Sequence, residues 1–241
     1  MKIIAVIPAR YSSTRLPGKP LLMINEKPMI YWVYQAAISV ELFEKVIVAT
    51  DDDRIVDACN LYDMESIMTS SSNQTGTDRV AEVASLVDAD YIVNIQGDEP
   101  LLEPENIKIA IDELINNKEL SVVNLMQKIT DPMTFINSTV PKVVTDNKNF
   151  GLFLSRSAIP YPKGSITSST YKQVCVYAYN KSTLQLFKKT ARSKNEIIED
   201  IELLRFIDNG IKVKFVEVVT KSIAVDTMSD YKLVKKLFSK T

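Results

Sequence analysis

Histidine is absent from all 241 residues. Without an imidazole the chain cannot build a Ser-His-Asp or Cys-His nucleophile system, a His-liganded zinc site or an imidazole general base. Any chemistry must run on carboxylates, amines, guanidinium groups, hydroxyls and a bound hard metal. Glycine is scarce: six residues, at 18, 76, 97, 151, 164 and 210, none clustered. A dinucleotide-binding fingerprint needs three closely spaced glycines, so a dehydrogenase reading loses its basis. A Walker phosphate loop fails as well, because Ser13 stands where its first glycine belongs and Pro20 where it needs Ser or Thr. Cysteine appears twice, at Cys59 and Cys175, with no CxxC pair. That is neither a disulfide framework nor a zinc site, and it suits a reducing cytoplasm. Charge of one sign is lacking too, with 29 basic and 30 acidic residues. No basic footprint points to a nucleic-acid partner. The apolar run before Pro8 is Ile3-Ile4-Ala5-Val6-Ile7, too short for a signal peptide or a bilayer span.

What is present reads as an α/β protein. A hydrophobic fraction of 46% supports a sizeable core, and 24% charged residues is ordinary for a globular chain. Continuous apolar runs at 2–7, 45–49, 91–95 and 211–216 fit strands buried on both faces. Helical spacing links Val80, Val83, Ala84 and Val87, and again Ile107, Ala110, Ile111 and Leu114, with Pro104 suited to a first helical position. Strands alternating with helices predict a mostly parallel central sheet. Ligands of such sheets gather beyond the carboxyl ends of the strands. The middle of the chain differs. Residues 120–127, 140–145, 150–155 and 173–179 read as strands, and 160–171 as an exposed loop. An inserted β-rich subdomain is therefore expected at about 130–190, within a single domain over 1–241. Residues 196–208 and 227–238 again read as helical.

Three segments carry candidate chemistry. The loop after the first strand, Pro8 to Pro20, packs Arg10, Arg15 and Lys19 among hydroxyls such as Ser13. Such cations would neutralise a triphosphate and its departing pyrophosphate, or else form a solvated basic loop. The run 91–95 leads into Gln96-Gly97-Asp98-Glu99-Pro100, where Asp98 either holds Mg²⁺ or caps a turn. Asp226, in Val225-Asp226-Thr227, either joins it as a metal ligand or caps the next helix. Asp51-Asp52-Asp53 reads as a helix cap. Glu196, Glu199, Glu202 and Arg205 recur every three residues, the pattern of a solvated stripe. A period of two puts Tyr177 and Tyr179 on one strand face, as a sugar platform or as core.

Taken in order, IPARYSSTRLPGKPL, KPMI, VATDD, TGTDR, VNIQGDEP, FLSRSAIP, VYAY and AVDT resemble the 3-deoxy-manno-octulosonate (Kdo) cytidylyltransferases, or CMP-Kdo synthetases. The resemblance runs from residue 2 to about residue 236. It implies a nucleotide-diphospho-sugar transferase fold and a cytoplasmic homodimer that uses CTP and Mg²⁺. By motif, Arg10, Ser13 and Lys19 would hold the CTP phosphates, with Arg10, Lys19 and Asp98 closest to the chemistry. Thr75, Gly76 and Arg79 would lie at the nucleotide, and Asp98 and Asp226 would bind metal. Gln96, Arg156, Tyr177 and Glu202 would meet the sugar, Arg156 through its carboxylate.

Two positions depart from the family pattern, both on the sugar side. Gln173 stands where the family has His two residues before Gly in H-x-G-x-Y-x-Y. Leu203 stands where it has Gln in Glu-Gln-Leu-Arg. Gln173 is thus a further substrate-binding candidate, and the sister reading is a CMP-sugar synthetase for an amino-substituted or neuraminate-type acid. Two other readings differ in class: a nucleotidyltransferase acting on a sugar phosphate, and a nucleotide-binding module without catalysis. The paired carboxylates Asp98 and Asp226 argue against the module.

Overall fold

A computed structural model describes residues 1–12, 16–163 and 170–239. Candidate Ser13, and the part of the expected loop from 164 to 169, lie outside these residues. The chain divides into two compact units, Met1–Lys108 with Lys221–Thr241, and Ile109–Thr220.

The first unit opens with β1 (Ile3–Ala9), buried at every position. A 3-10 turn, Lys19–Leu21, follows, and then a tight hairpin of β2 (Met23–Ile24) and β3 (Lys27–Pro28). Its turn residues Asn25 and Glu26 take φ of 43° and 63°, the left-handed pair that two-residue hairpins require. Then come α1 (Met29–Ile38), β4 (Lys45–Thr50), α2 (Asp53–Leu61), β5 (Ser66–Met68), α3 (Gly76–Leu86), β6 (Tyr91–Ile95) and α4 (Pro104–Asn116), which starts in this unit and ends in the second. Strands β6, β1, β4 and β5 lie in that order, all parallel. Central strands covered on both faces need apolar residues at every position, hence runs rather than alternation in the sequence. Pro104 does open α4, where its missing N–H costs nothing.

The second unit is built from β7 (Val122–Lys128), α5 (Pro132–Ile136), β8 (Lys142–Thr145), β9 (Gly151–Ser155), β10 (Tyr171–Asn180), α6 (Lys181–Lys189), α7 (Lys194–Glu199), α8 (Leu203–Asp208) and β11 (Lys214–Glu217). Antiparallel pairing joins β7 to β10, β10 to β8 and β8 to β9, while β11 runs parallel to β7. The chain then returns to the first unit and ends in α9 (Met228–Phe238).

Two expectations about this region need correcting. The strand expected at 211–216 begins only at Lys214. Gly210 takes φ of 75° and the amide of Ile211 bonds back to Phe206 O at 2.9 Å, so these residues close α8 instead of extending β11. The helix expected at 196–208 is two helices, because Asp200 adopts φ of 52° and stops α7. The break turns the supposed solvated stripe inward. Glu196 and Arg205 are buried and paired, Nε to Oε2 and Nη2 to Oε1, both at 2.7 Å. The Arg205 guanidinium also stacks on Phe187, 3.7 Å from its ring centroid.

Candidate active site

The loop leaving β1 is tied into a ring by its own backbone. Gly18 donates to Tyr11 O at 2.9 Å and takes φ of 66°. The left-handed φ is what favours glycine, and a Cβ at residue 18 would also press on the Tyr11 ring at 3.2 Å. Gly18 starts the 3-10 turn that carries Lys19 inward. Lys19 Nζ donates to Asp98 Oδ2 at 2.6 Å and to Asp226 Oδ1 at 3.4 Å. Burial pulls the Lys19 ammonium toward neutrality, but the two carboxylates outweigh it and hold the pKa above its ordinary value. Lys19 is thus a charged donor throughout the neutral range. Upstream, Arg10 Nη2 is buried with no hydrogen-bond partner among the described residues. A desolvated guanidinium nitrogen with a spare proton is a site for an incoming oxyanion.

Asp98 and Asp226 meet although they are distant in the chain. Gly97 lets the turn after β6 approach β1: a Cβ there would stand 3.1 Å from Pro8 O and from Ile30 Cδ1. Val225 N bonds to Asp98 O at 2.9 Å, which seats the residue before Asp226 against the same turn. Asp226 does not cap the last helix. Thr227 does, in a capping box with Asp230. Among the described residues no three acidic or cysteine side chains converge. Two carboxylates around one shared cation position nonetheless fit Mg²⁺, which takes one or two protein carboxylates and fills its remaining sites with water and phosphate.

At the start of α3, Thr75 is the N-cap and Gly76 the first residue, and the Thr75 hydroxyl is committed to a capping box with Asp78. The Arg79 side chain is fully buried, with Nη2 2.8 Å from Asp51 Oδ2 and Nη1 bonded to Thr69. Its Nε is buried with no hydrogen-bond partner among the described residues. Asp52 is the helix cap foreseen for the Asp51-Asp52-Asp53 run, accepting from Arg54 N at 3.1 Å. Asp51 does something the sequence did not announce, answering the buried Arg79. Gln96 stands half-buried just beyond β6.

In the second unit, Arg156 is aimed by carbonyls. Its Nε donates to Glu199 O at 2.7 Å and its Nη2 to Asp200 O at 3.0 Å. Fully buried Lys142 donates to Asn137 O, Val140 O and Arg156 O at 2.6–2.8 Å. Burial, then the Arg156 charge, lower the Lys142 pKa. Tyr177 and Tyr179 stack with centroids 6.3 Å apart and planes 4° from parallel. Burial, with Cys175 and the Glu202 charge adding to it, pushes the Tyr177 phenol well above its ordinary range. Glu202 sits where α8 begins, and Leu203 beside it is fully buried. Gln173 donates from Nε2 to Asn124 Oδ1 at 3.1 Å. Sequence reasoning missed Lys142 and Asn124. Nothing in its spacing marks Lys142, whereas Asn124 interrupts the apolar run Val122–Met126 and is a visible anomaly.

Residues 4–218 match the cytidylyltransferase family. A 3-deoxy-manno-octulosonate cytidylyltransferase of Geobacter metallireducens is 42% identical over 98% of each chain. The chain belongs to the 3-deoxy-manno-octulosonate cytidylyltransferase family. The family enzyme of Fusobacterium nucleatum is 41% identical over 95% of this chain and 94% of its own. A solved CMP-2-keto-3-deoxy-manno-octonic acid synthetase complexed with CTP superposes with a TM-score of 0.93, at 37% identity over 100% of this chain and 99% of that one. A putative glucose-1-phosphate thymidylyltransferase from Bacillus anthracis, 15% identical with a TM-score of 0.72, shares the fold alone. The α/β fold expected from strand and helix spacing is therefore the nucleotidyltransferase fold of this family.

Proposed function

We propose that this member of the family transfers CMP from CTP to the anomeric hydroxyl of a 3-deoxy-2-ulosonic acid, Kdo or a close relative, and releases pyrophosphate. The observation that carries the reading is the convergence of Lys19, Asp98 and Asp226 in the same unit as the cationic loop after β1. The attacking oxygen bonds to the α-phosphorus as the α–β phosphoanhydride breaks in line. With no histidine in the chain, the hydroxyl proton passes to a carboxylate or to water. Arg10, Ser13 and Lys19 bind the phosphates and meet charge that grows on the leaving pyrophosphate, an electrostatic and positional form of catalysis. Asp98 and Asp226 hold Mg²⁺, which when bound withdraws charge from the phosphoryl oxygens. Thr75 and Gly76, at the amino end of α3, lie toward the nucleotide, and Arg79 stiffens that region through Asp51.

Arg156 receives the sugar carboxylate, a role supported by a guanidinium whose bonds go chiefly to neutral carbonyls. Gln96, Gln173, Tyr177 and Glu202 complete the sugar contacts. We assign a homodimer and a cytoplasmic setting by kinship; among the described residues no helix is long and apolar enough to cross a membrane. Gln173 keeps a related acidic sugar open as the preferred acceptor. Pyrophosphate release with Mg²⁺ and a panel of acidic sugars should be far faster with CTP than with ATP or GTP. Equal turnover of a purine nucleotide, or turnover of a sugar phosphate in place of the sugar acid, would overturn the assignment.

A further inference from the structure

One fully buried side chain pins an irregularity in β10. The register against β7 passes from Val174↔Leu125 to Tyr177↔Asn124, so the strand bulges at Cys175 and Val176. Asn124 reaches across it, donating from Nδ2 to Val174 O at 2.9 Å and to Val176 O at 2.7 Å. An amide nitrogen carries two hydrogens, and both are now committed. The Asn124 amide cannot flip, because its oxygen would then face two carbonyl oxygens. Its Oδ1 can only accept, and the side chain that reaches it is Gln173, through Nε2 at 3.1 Å.

A second orientation follows from the first. Gln173 must keep its nitrogen toward Asn124, so its Oε1 points away from that partner. Among the described residues, Oε1 has no hydrogen-bond partner, and Gln173 is only half-buried. A histidine at this position could donate or accept according to its tautomer and charge. The Gln173–Asn124 pair has no such freedom.

We infer that Asn124 is a positioning residue that makes Gln173 a one-way hydrogen-bond acceptor. The pair selects a sugar acid carrying a donor, a hydroxyl or an amine, at the position Gln173 meets, over one carrying only an acceptor there. The selection rests on the proposed sugar-acid activity and on Gln173 facing that substrate. The orientation of the two amides does not.

Two measurements separate these. In Gln173→Glu, a carboxyl facing Asn124 Oδ1 must keep its proton to make the bond, so by NMR it should titrate clearly above the ordinary glutamate value of about 4.3. An ordinary titration overturns the orientation, and this arm needs no substrate. The second arm compares kcat/KM for wild type and Gln173→Met on Kdo and on analogues with single hydroxyls methylated, which accept but cannot donate. Wild type should disfavour one analogue by about 5- to 150-fold, the cost of a buried group left unpaired. Gln173→Met should lose that one distinction, with the KM for CTP unmoved. If Gln173→Met ranks every sugar as wild type does, the selection is wrong. If wild type turns over no sugar acid at all, the functional reading falls and the selection with it, while the titration still decides the orientation.

Discussion

Replacing Lys19 with methionine removes the cation that Asp98 and Asp226 share, and the consequence can be worked from the distances. Both carboxylates reach one ammonium, at 2.6 and 3.4 Å, so their nearest oxygens lie within about 6 Å of each other. At an effective dielectric of about 20, two like charges at that separation repel by roughly 3 kcal/mol. The side chains are 16%, 23% and 25% exposed, so solvent screens part of this, and methionine escapes the desolvation cost of a lysine. A net loss of about 1–3 kcal/mol is expected at neutral pH, a fall in Tm of roughly 3–10 °C for a chain of this size. Millimolar Mg²⁺ should return much of it, because a divalent cation held by the two carboxylates would neutralise them as the ammonium does. The assay is thermal unfolding of wild type, Lys19→Met and Lys19→Arg, each with and without Mg²⁺. Lys19→Arg keeps the charge and should melt near wild type. The greater Mg²⁺ response should belong to Lys19→Met. If Lys19→Met melts at the wild-type temperature and both proteins respond equally to Mg²⁺, the ammonium is not what balances these carboxylates.

Asp98→Asn and Asp226→Asn should each lower kcat by roughly 10²-fold or more while leaving the fold intact. Near-normal turnover in either would return that residue to a structural role. Glu196→Gln leaves the buried Arg205 without its counter-ion and should cost about 3–5 kcal/mol, seen as a fall in Tm of roughly 10 °C. A variant that melts with wild type would show that the pair contributes little. Burial pushes the Cys59 thiol up to about 11, with a Ser66 hydrogen bond opposing it. Because this pKa is raised on folding, the associated stability is full below the ordinary thiol value and is lost as pH rises toward 11. Thiol reagents at pH 8 should therefore label half-buried Cys175 well before Cys59, and mass spectrometry of the modified peptides would show the reverse if the burial argument were mistaken.

The sequence by itself determined the parallel core and the chemical repertoire. Strands buried on both faces need unbroken apolar runs, so β1, β4 and β6 are legible in the sequence. The lack of histidine and of clustered glycine removed whole reaction classes, and the ordered motifs from IPARYSSTRLPGKPL to AVDT indicated the family. Cap chemistry is local too, and Asp52 and Pro104 were legible for that reason. Only the tertiary structure decided which charges meet. Lys19, Asp98 and Asp226 lie far apart in the chain, and whether Asp226 capped a helix or faced a cation depended on Val225 bonding to the Asp98 turn. Period counting assigned Glu196 and Arg205 to solvent, because spacing cannot reveal that Asp200 breaks the helix and folds the two inward. The sequence could mark Gln173 as a departure but not say which end of its amide faces out. That was settled by a bulge fifty residues from Asn124 in sequence, because a hydrogen bond's direction depends on partners that only folding brings together.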